Sequence, residues 1–281
     1  MKSGLLLLMC VPLALAVVWV LLPASHDRDW REDYSRLPTV TFAEGSFTVA
    51  NVRNWSYSLS GEAVSQEWRD VTIRKEDVAT LFFVLEPFGD SAGIAHTMLA
   101  VTLQDGSGYV MSIEARREVG EDYHALQAAL WPTYEYLFVW ATERDMYGNS
   151  QYFANDDLYR YELDLNQDQV WVVVEAIARE TQAVAEAPRW YNTLLANCTN
   201  VLARTLNRRT DARLSWDIAR ILPGYSAAYL YEAGLLAGDG ELAELSETAY
   251  ITPLIDQAYV ATDPTDFSRS LQALQQSYLL D

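Results

Sequence analysis

Between positions 39 and 140 the apolar residues recur mostly at every second position or in short solid runs, the spacings of half-buried and fully buried strands. Thr39–Leu59 alternates and is rich in Val, Thr and aromatic residues, which predicts one or two strands. Trp68–Ile73 and Leu81–Leu85 predict two more around a turn at Lys75–Asp77, before Pro87-Phe88-Gly89-Asp90 breaks the pattern. The clearest hairpin joins Ile94–Leu103 to Tyr109–Ala115 through Gln104-Asp105-Gly106-Ser107-Gly108, where Asp-Gly and Ser-Gly are turn signals. With His96 opposite Arg116 and Met98 opposite Glu114, all four side chains share one face; a one-residue slip would put Ala115 opposite His96 instead.

Further on the period lengthens. Tyr123–Leu130 predicts a short helix, and Tyr134–Trp140 and Leu158–Leu165 predict strands, the first closing on Glu143-Arg144-Asp145. Asn166 and Gln169 form a capping-box pair opening a helix over Gln167–Glu186, whose Val170, Val173, Val174, Ile177 and Val184 make one apolar stripe. A helix starting at Cys198, with Leu202 and Leu206 one turn apart, follows; then come Ser215–Leu222 and a helix running from Pro223 towards Leu236. From Thr252 the periodicity is weak and predicts no particular packing. The pattern is that of an α+β domain, an antiparallel sheet packed against helices. His96 and Glu114 are expected on adjacent strands, with the Cys198 helix across them.

The N-terminus departs from this pattern. Leu5–Leu22 is an uncharged run of 18 residues behind Lys2, about 27 Å as a helix and close to a bilayer's hydrocarbon thickness. Ala14-Leu15-Ala16 would suit a signal-peptidase site but lies inside the run, and Pro23-Ala24-Ser25 suits one poorly. Met9 before Cys10 does not suit lipidation at that cysteine. The expectation is an uncleaved single-pass anchor over 1–24 in a bacterial inner membrane, with cleavage as the alternative. A polar linker over 25–38, a periplasmic domain over 39–250 and a C-terminal tail over 251–281 complete the division. No second apolar run is long enough to span a bilayer.

Composition narrows the function classes. Half of the residues are apolar, and 9 Trp, 17 Tyr and 8 Phe suit a packed core rather than disorder. A net charge of −19 excludes a nucleic-acid partner on electrostatic grounds and gives no general attraction to anionic lipid, so membrane contact is expected through the anchor. Cys10 and Cys198 are the only cysteines, and with Cys10 in the anchor Cys198 has no disulfide partner in an oxidising compartment. Asn197 is a favoured N-cap, which puts Cys198 in the first turn of a helix, where backbone N–H groups favour a thiolate. His96 and His124 are the only histidines beyond residue 30, and His124 sits in a polar turn. The candidate chemistry is therefore Cys198 as nucleophile, His96 as base and acid, and Glu114 as the group that orients the imidazole. A buried structural cysteine is the competing reading. Scattered ligand types without spacing point to no metal, and no phosphate loop or Gly-x-Ser-x-Gly elbow points to a cofactor or a serine nucleophile.

Several stretches carry a resemblance: Val52-Arg53-Asn54-Trp55-Ser56-Tyr57, Ile94-Ala95-His96-Thr97-Met98-Leu99, Ser112-Ile113-Glu114-Ala115-Arg116-Arg117-Glu118 and Glu143-Arg144-Asp145. Trp190-Tyr191-Asn192-Thr193-Leu194 leading into Asn197-Cys198-Thr199 continues it, and so do Leu222-Pro223-Gly224-Tyr225 and Tyr229-Leu230-Tyr231 with Gly234. In this order, over roughly residues 45–250, they resemble the Lnb N-terminal periplasmic domain family, whose members of assigned activity are lipoprotein N-acyltransferases using a Cys and a His. The order of His on a strand and then Asn-Cys at a helix start also resembles the circularly permuted papain-like fold. That fold includes lecithin:retinol acyltransferase and NlpC-type cell-wall peptidases. By position the resemblance makes Cys198 the nucleophile and His96 the base; Glu114 comes from hairpin parity alone. Arg53, Arg116, Glu143, Arg144, Tyr191 and Asn197, within or next to these stretches, are the expected substrate-binding or supporting residues. The chain departs from the family in lacking further spans and in carrying Asn200 where a Thr is common.

The resemblance implies a periplasmic acyltransferase working through a Cys thioester on phospholipid or lipoprotein acyl groups. An NlpC-type amidase or peptidase of cell-wall peptides, and a non-catalytic membrane-tethered binding domain, are the alternatives. An apolar lining beside Cys198 favours the first, a polar cleft the second and a filled cleft the third.

Overall fold

The computed structural model describes residues 22–89, 91–209 and 214–278. The expected anchor therefore lies outside the described residues except for its last few positions. Among the described residues no helix is long and apolar enough to cross a membrane.

The alternating segments pair as expected and extend further than their apolar cores. The strands are β1 (Thr39–Ala43), β2 (Ser46–Tyr57), β3 (Ala63–Arg74), β4 (Val78–Pro87), β5 (Ala95–Leu103), β6 (Gly108–Arg116), β7 (Glu135–Thr142), β8 (Tyr159–Glu162) and β9 (Arg189–Trp190). They form one sheet in the order β1-β2-β7-β6-β5-β4-β8, with β3 on β2 and β9 on β7. Every pairing is antiparallel except a single parallel contact between Arg53 and Ala141. β2 can serve both β1 and β7 because it bends at a bulge between Val49 and Val52, where Asn51 takes φ 60°.

The hairpin register differs from expectation by two residues. Met98 faces Ser112 and Thr102 faces Gly108, so Glu114, not Arg116, continues the ladder opposite His96. The turn is tighter than the five residues expected. The Ser107 carbonyl accepts from Leu103 N, Asp105 Oδ1 accepts from both Ser107 N and Ser107 Oγ, and Gly106 takes φ 84°. A slip of two preserves the face of every side chain.

The helices are α1 (Ala125–Leu130), α2 (Glu143–Gly148), α3 (Gln167–Glu186), α4 (Cys198–Arg209), α5 (Ser226–Glu232), α6 (Leu242–Ala249), α7 (Thr252–Ala258) and α8 (Pro264–Tyr278). The Asn166–Gln169 capping box is formed in both directions. α3 and α4 cover one face of the sheet through Val170, Val174, Ile177, Val201 and Leu202, packed on Phe83, Leu99, Met111 and Phe138. The other face, carrying Val84, Met98, Val110 and Val139, is covered by Met146 of α2 and by Leu254, Ile255, Phe267 and Leu271 of α7 and α8. The molecule is thus an α+β protein with helices on both sides of the sheet, and the C-terminal segment supplies much of the second layer.

The segment read as a polar linker is held against the sheet. Tyr34 is buried, and Arg116 Nε and Nη2 donate to its carbonyl at 3.0 and 2.8 Å. The same guanidinium stacks 4.1 Å from the Trp30 ring.

Candidate active site

Cys198 is the first residue of α4, and its position is built by Asn197. The Asn197 side chain accepts from Asn200 N at 2.8 Å and its carbonyl accepts from Val201 N at 2.9 Å, the geometry of a helix cap. Asn197 Nδ2 donates to Thr193 O and to Arg220 O, and Asn200 Nδ2 donates to Leu194 O and to the same Arg220 O. Asn200 therefore has a structural task a Thr could not perform in this way, since a hydroxyl cannot reach two carbonyls as an amide does. The N–H groups of Cys198 and Thr199 lie in the first turn, where position denies them a helical acceptor.

β5 brings His96 to this point. Its Nε2 lies 2.6 Å from Ser112 Oγ and 3.0 Å from Glu114 Oε1, while Ser112 Oγ donates to that same carboxylate oxygen at 2.5 Å. With Nε2–H shared between serine and carboxylate, Nδ1 is the nitrogen left to serve the thiol. The thiol and the imidazole are close enough to set each other's charge. Burial alone would push the Cys198 thiol up, but the His96 imidazolium and hydrogen bonding from Thr97 outweigh it and bring the pKa down to about 7. Burial likewise opposes a charged His96, yet the Glu114 carboxylate and the Cys198 thiolate hold its pKa well above the ordinary value. Against burial, His96 and Ser112 hold Glu114 down at about 2. Near neutral pH a thiolate is thus populated beside an imidazolium and a carboxylate. Cys198 is 4% exposed, whereas the His96 and Glu114 side chains are 18% and 23% exposed, so the imidazole edge is reachable from outside.

Tyr191 joins them. Burial and the nearby Cys198 thiolate raise its pKa well above the ordinary value, keeping a neutral hydroxyl beside the thiol. Its ring packs edge-on against Tyr123.

An apolar cavity of about 160 Å³ is lined by Thr97 and Thr199, the neighbours of His96 and Cys198, and not by His96 or Cys198 themselves. Thr97 Oγ1 and Thr199 Oγ1, in contact at 3.0 Å, form its end nearest the thiol. Leu81, Phe83, Leu99, Leu202 and Leu206 line much of the rest, together with Asp217, Ala219, Arg220 and, from α5, Ser226, Tyr229 and Leu230. The segment between these two parts of the wall is tied to the residues just before β5: Gly224 N donates to Gly93 O at 3.1 Å, and a Cβ on Gly224 would come within 1.9 Å of Ala92 O. The Leu222-Pro223-Gly224-Tyr225 motif needs its glycine for this approach.

Cys198, His96, Glu114, Tyr191 and Asn197 are therefore gathered, while Arg53, Arg116, Glu143 and Arg144 do not touch them. Arg53, Glu143 and Arg144 belong to the opposite end of the sheet, where β6 begins and β7 ends. Five strand positions separate Glu114 from Tyr109, about 17 Å. There Arg53 Nε donates to both oxygens of Asp145 at 3.1 and 2.9 Å, and Glu143 Oε1 accepts from Arg160 and Tyr147. Arg144 donates to Ala261 O and lies 4.1 Å over the Tyr259 ring. Their charges are spent on holding α2, β2 and the C-terminal helices together. Arg116 holds the N-terminal segment, and burial lowers its pKa to about 10.

Three residues of the site were missed by sequence reasoning. Ser112, fully buried between His96 and Glu114, shares their parity in the hairpin and could have been found from it. Thr97 shows itself only once α4 is placed. Glu86 stands across the ladder from His96, and burial raises its pKa to about 7 against the pull of the imidazolium. Among the described residues no group of three His, Cys, Asp or Glu side chains could hold a metal ion.

The model of the Lnb N-terminal periplasmic domain family matches residues 65–224, more than half of the chain, and takes in every residue of the Cys198–His96 site named above. No curated protein and no solved structure matches the chain.

Proposed function

The chain belongs to the Lnb N-terminal periplasmic domain family, and from that premise we propose that it is a thiol acyltransferase acting on phospholipid or lipoprotein acyl groups. The observation that carries this reading is the apolar cavity whose wall includes Thr97 and Thr199, the latter's hydroxyl 3.9 Å from the Cys198 sulfur. A cell-wall peptide would leave such a lining unused. An engineered apolar cavity of about 150 Å³ takes up benzene, so this one accepts about six carbons of an acyl chain before any widening. Residues 5–22 anchor the domain on the periplasmic side of the inner membrane, within reach of such chains. The order of His strand and Cys helix, with helices covering the sheet, suits the permuted papain-like arrangement.

The chemistry follows from the charges. The Cys198 thiolate attacks the acyl carbonyl, and the first-turn N–H groups of α4 face the oxygen that gains charge. The ester C–O bond breaks as the His96 imidazolium gives its proton to the departing alkoxide, leaving a lyso-product and an acyl thioester on Cys198. An amine or water then attacks the thioester while neutral His96 takes its proton; the C–S bond breaks and the thiolate–imidazolium pair is restored. Ser112 and Glu114 keep the imidazole turned so that Nδ1 serves both transfers.

The test is a trapped intermediate. Full-length protein in mixed micelles with phospholipid, quenched in acid, should carry one hydroxylamine-labile acyl group on Cys198. Cys198→Ser should carry none. Peptide turnover without any lipid adduct would replace this reading with the amidase one.

A further inference from the structure

The end of the apolar run can be located on the domain. The Leu22 carbonyl accepts from Trp190 Nε1 at 2.8 Å, and Ser25 N donates to Glu135 just below. Trp190 ends β9 and leads within two residues into the turn before Cys198. That turn rests on α1: Thr193 Oγ1 donates to Ala125 O and Asn192 Nδ2 to Ala129 O, at 2.8 and 2.9 Å. Both segments carry large apolar side chains in the open. Leu195 is 71% exposed and Leu126 74%, with Leu194 and Trp131 at 46% each. On the other side of Trp190 a cleft of about 360 Å³ is lined by Arg189, Arg204 and Arg208 around a single carboxylate, Glu180. This concentrates positive charge on a protein whose net charge is −19.

We propose that this surface, the 193–196 turn with α1 and the arginines beside Trp190, lies on the bilayer and sets the orientation of the domain on it. Three features select lipid over a protein partner. The 18-residue apolar run ends at the patch itself. The flanking arginines complement anionic headgroups. Trp190 and Trp131 stand where indole rings favour the boundary between water and hydrocarbon. The geometry also gives the surface a purpose. Leu195 is three positions before Cys198, so a leucine seated among acyl chains keeps the Cα of Cys198 no more than about 11 Å from its own. Loading of the cavity then requires a short lateral transfer and no passage through water. In this proposal the arginines, two of them paired with Glu180, supply locally the attraction that the net charge does not.

The inference rests on the reading that residues 5–22 are in the bilayer, and its test does not use acyl transfer. Full-length protein with Cys10→Ser and Cys198→Ser is given one nitroxide at position 126, 195, 64 or 260 and placed in nanodiscs of mixed zwitterionic and anionic phospholipid. Val64 and Val260 are exposed controls. Labels at 126 and 195 should collide more with dissolved oxygen than with a water-soluble nickel chelate, and labels at 64 and 260 should show the reverse. Arg204→Glu should shift the 195 label towards the aqueous ratio. Aqueous ratios at both 126 and 195, or dipolar broadening there showing a second copy on the patch, would overturn the proposal. Loss of the protein from the nanodisc would instead overturn the anchor.

Discussion

Replacing His96 by alanine takes away the charge that holds the thiol down, and the size of the effect can be worked out. In the native protein Cys198 sits at about 7, against about 8.5 for a free cysteine. Without the imidazolium, burial is the main influence left and pushes the thiol up, so the variant should titrate at or above the free value. That is a shift of at least about 1.5 units, or about 2 kcal/mol. At pH 7 the thiolate fraction falls from about one half to about 3%. Reactivity at that single pH falls much less, because a more basic thiolate is intrinsically more nucleophilic. With a Brønsted slope of 0.4–0.5 about fivefold is returned, leaving a net loss of about threefold. The discriminating quantity is therefore the pH midpoint. It should be read as far-ultraviolet thiolate absorbance, wild type minus Cys198→Ser, and again for His96→Ala against the double variant. The sign is fixed: the thiolate appears as pH rises through about 7 in the wild type and only above about 8.5 in the variant. Equal midpoints would show that the imidazole does not govern the thiol, and a wild-type midpoint above 8.5 would return Cys198 to the buried structural class.

Two further outcomes separate cavity from scaffold. Leu202→Phe narrows the cavity; if three methylenes lose their place at about 0.8 kcal/mol each, kcat/KM for a long acyl donor should fall on the order of 50-fold relative to a short one. An unchanged ratio would mean that the chain lies elsewhere. Asp145→Asn leaves Arg53, 4% exposed, with its charge unpaired. It should cost about 3–5 kcal/mol, lowering the thermal midpoint on the order of 10 °C, while the Cys198 titration stays where it was; a moved titration would join the two ends of the sheet.

The parts of the fold that were legible are those where one face of an element is uniformly apolar. Val170, Val174 and Ile177 give α3 away, and the alternation from Ala95 to Leu103 with an Asp-Gly turn gives the hairpin. α7 and α8 were not legible because Leu254, Ile255, Phe267 and Leu271 are spaced too thinly to stand out over so short a stretch, and their burial depends on a sheet face built from distant strands. At the site, Cys198, His96 and Glu114 could be found because scarcity and parity single them out. The four other charged candidates could not be sorted in the same way. A buried arginine paired with a carboxylate reads alike in sequence whether it binds a substrate or, as Arg53 does with Asp145, holds a strand to a helix. Ser112 lay in view but carries no charge to draw notice.

The single carbonyl of Arg220, held by both Asn197 and Asn200, ties one wall of the cavity to the first turn of the Cys198 helix. Arg220 also lines the apolar cavity. Moving it away strips a hydrogen bond, worth about 1 kcal/mol, from each of the two amides that frame the first turn of α4. Displacing this wall of the cavity would therefore cost about 2 kcal/mol and leave the frame around Cys198 slack.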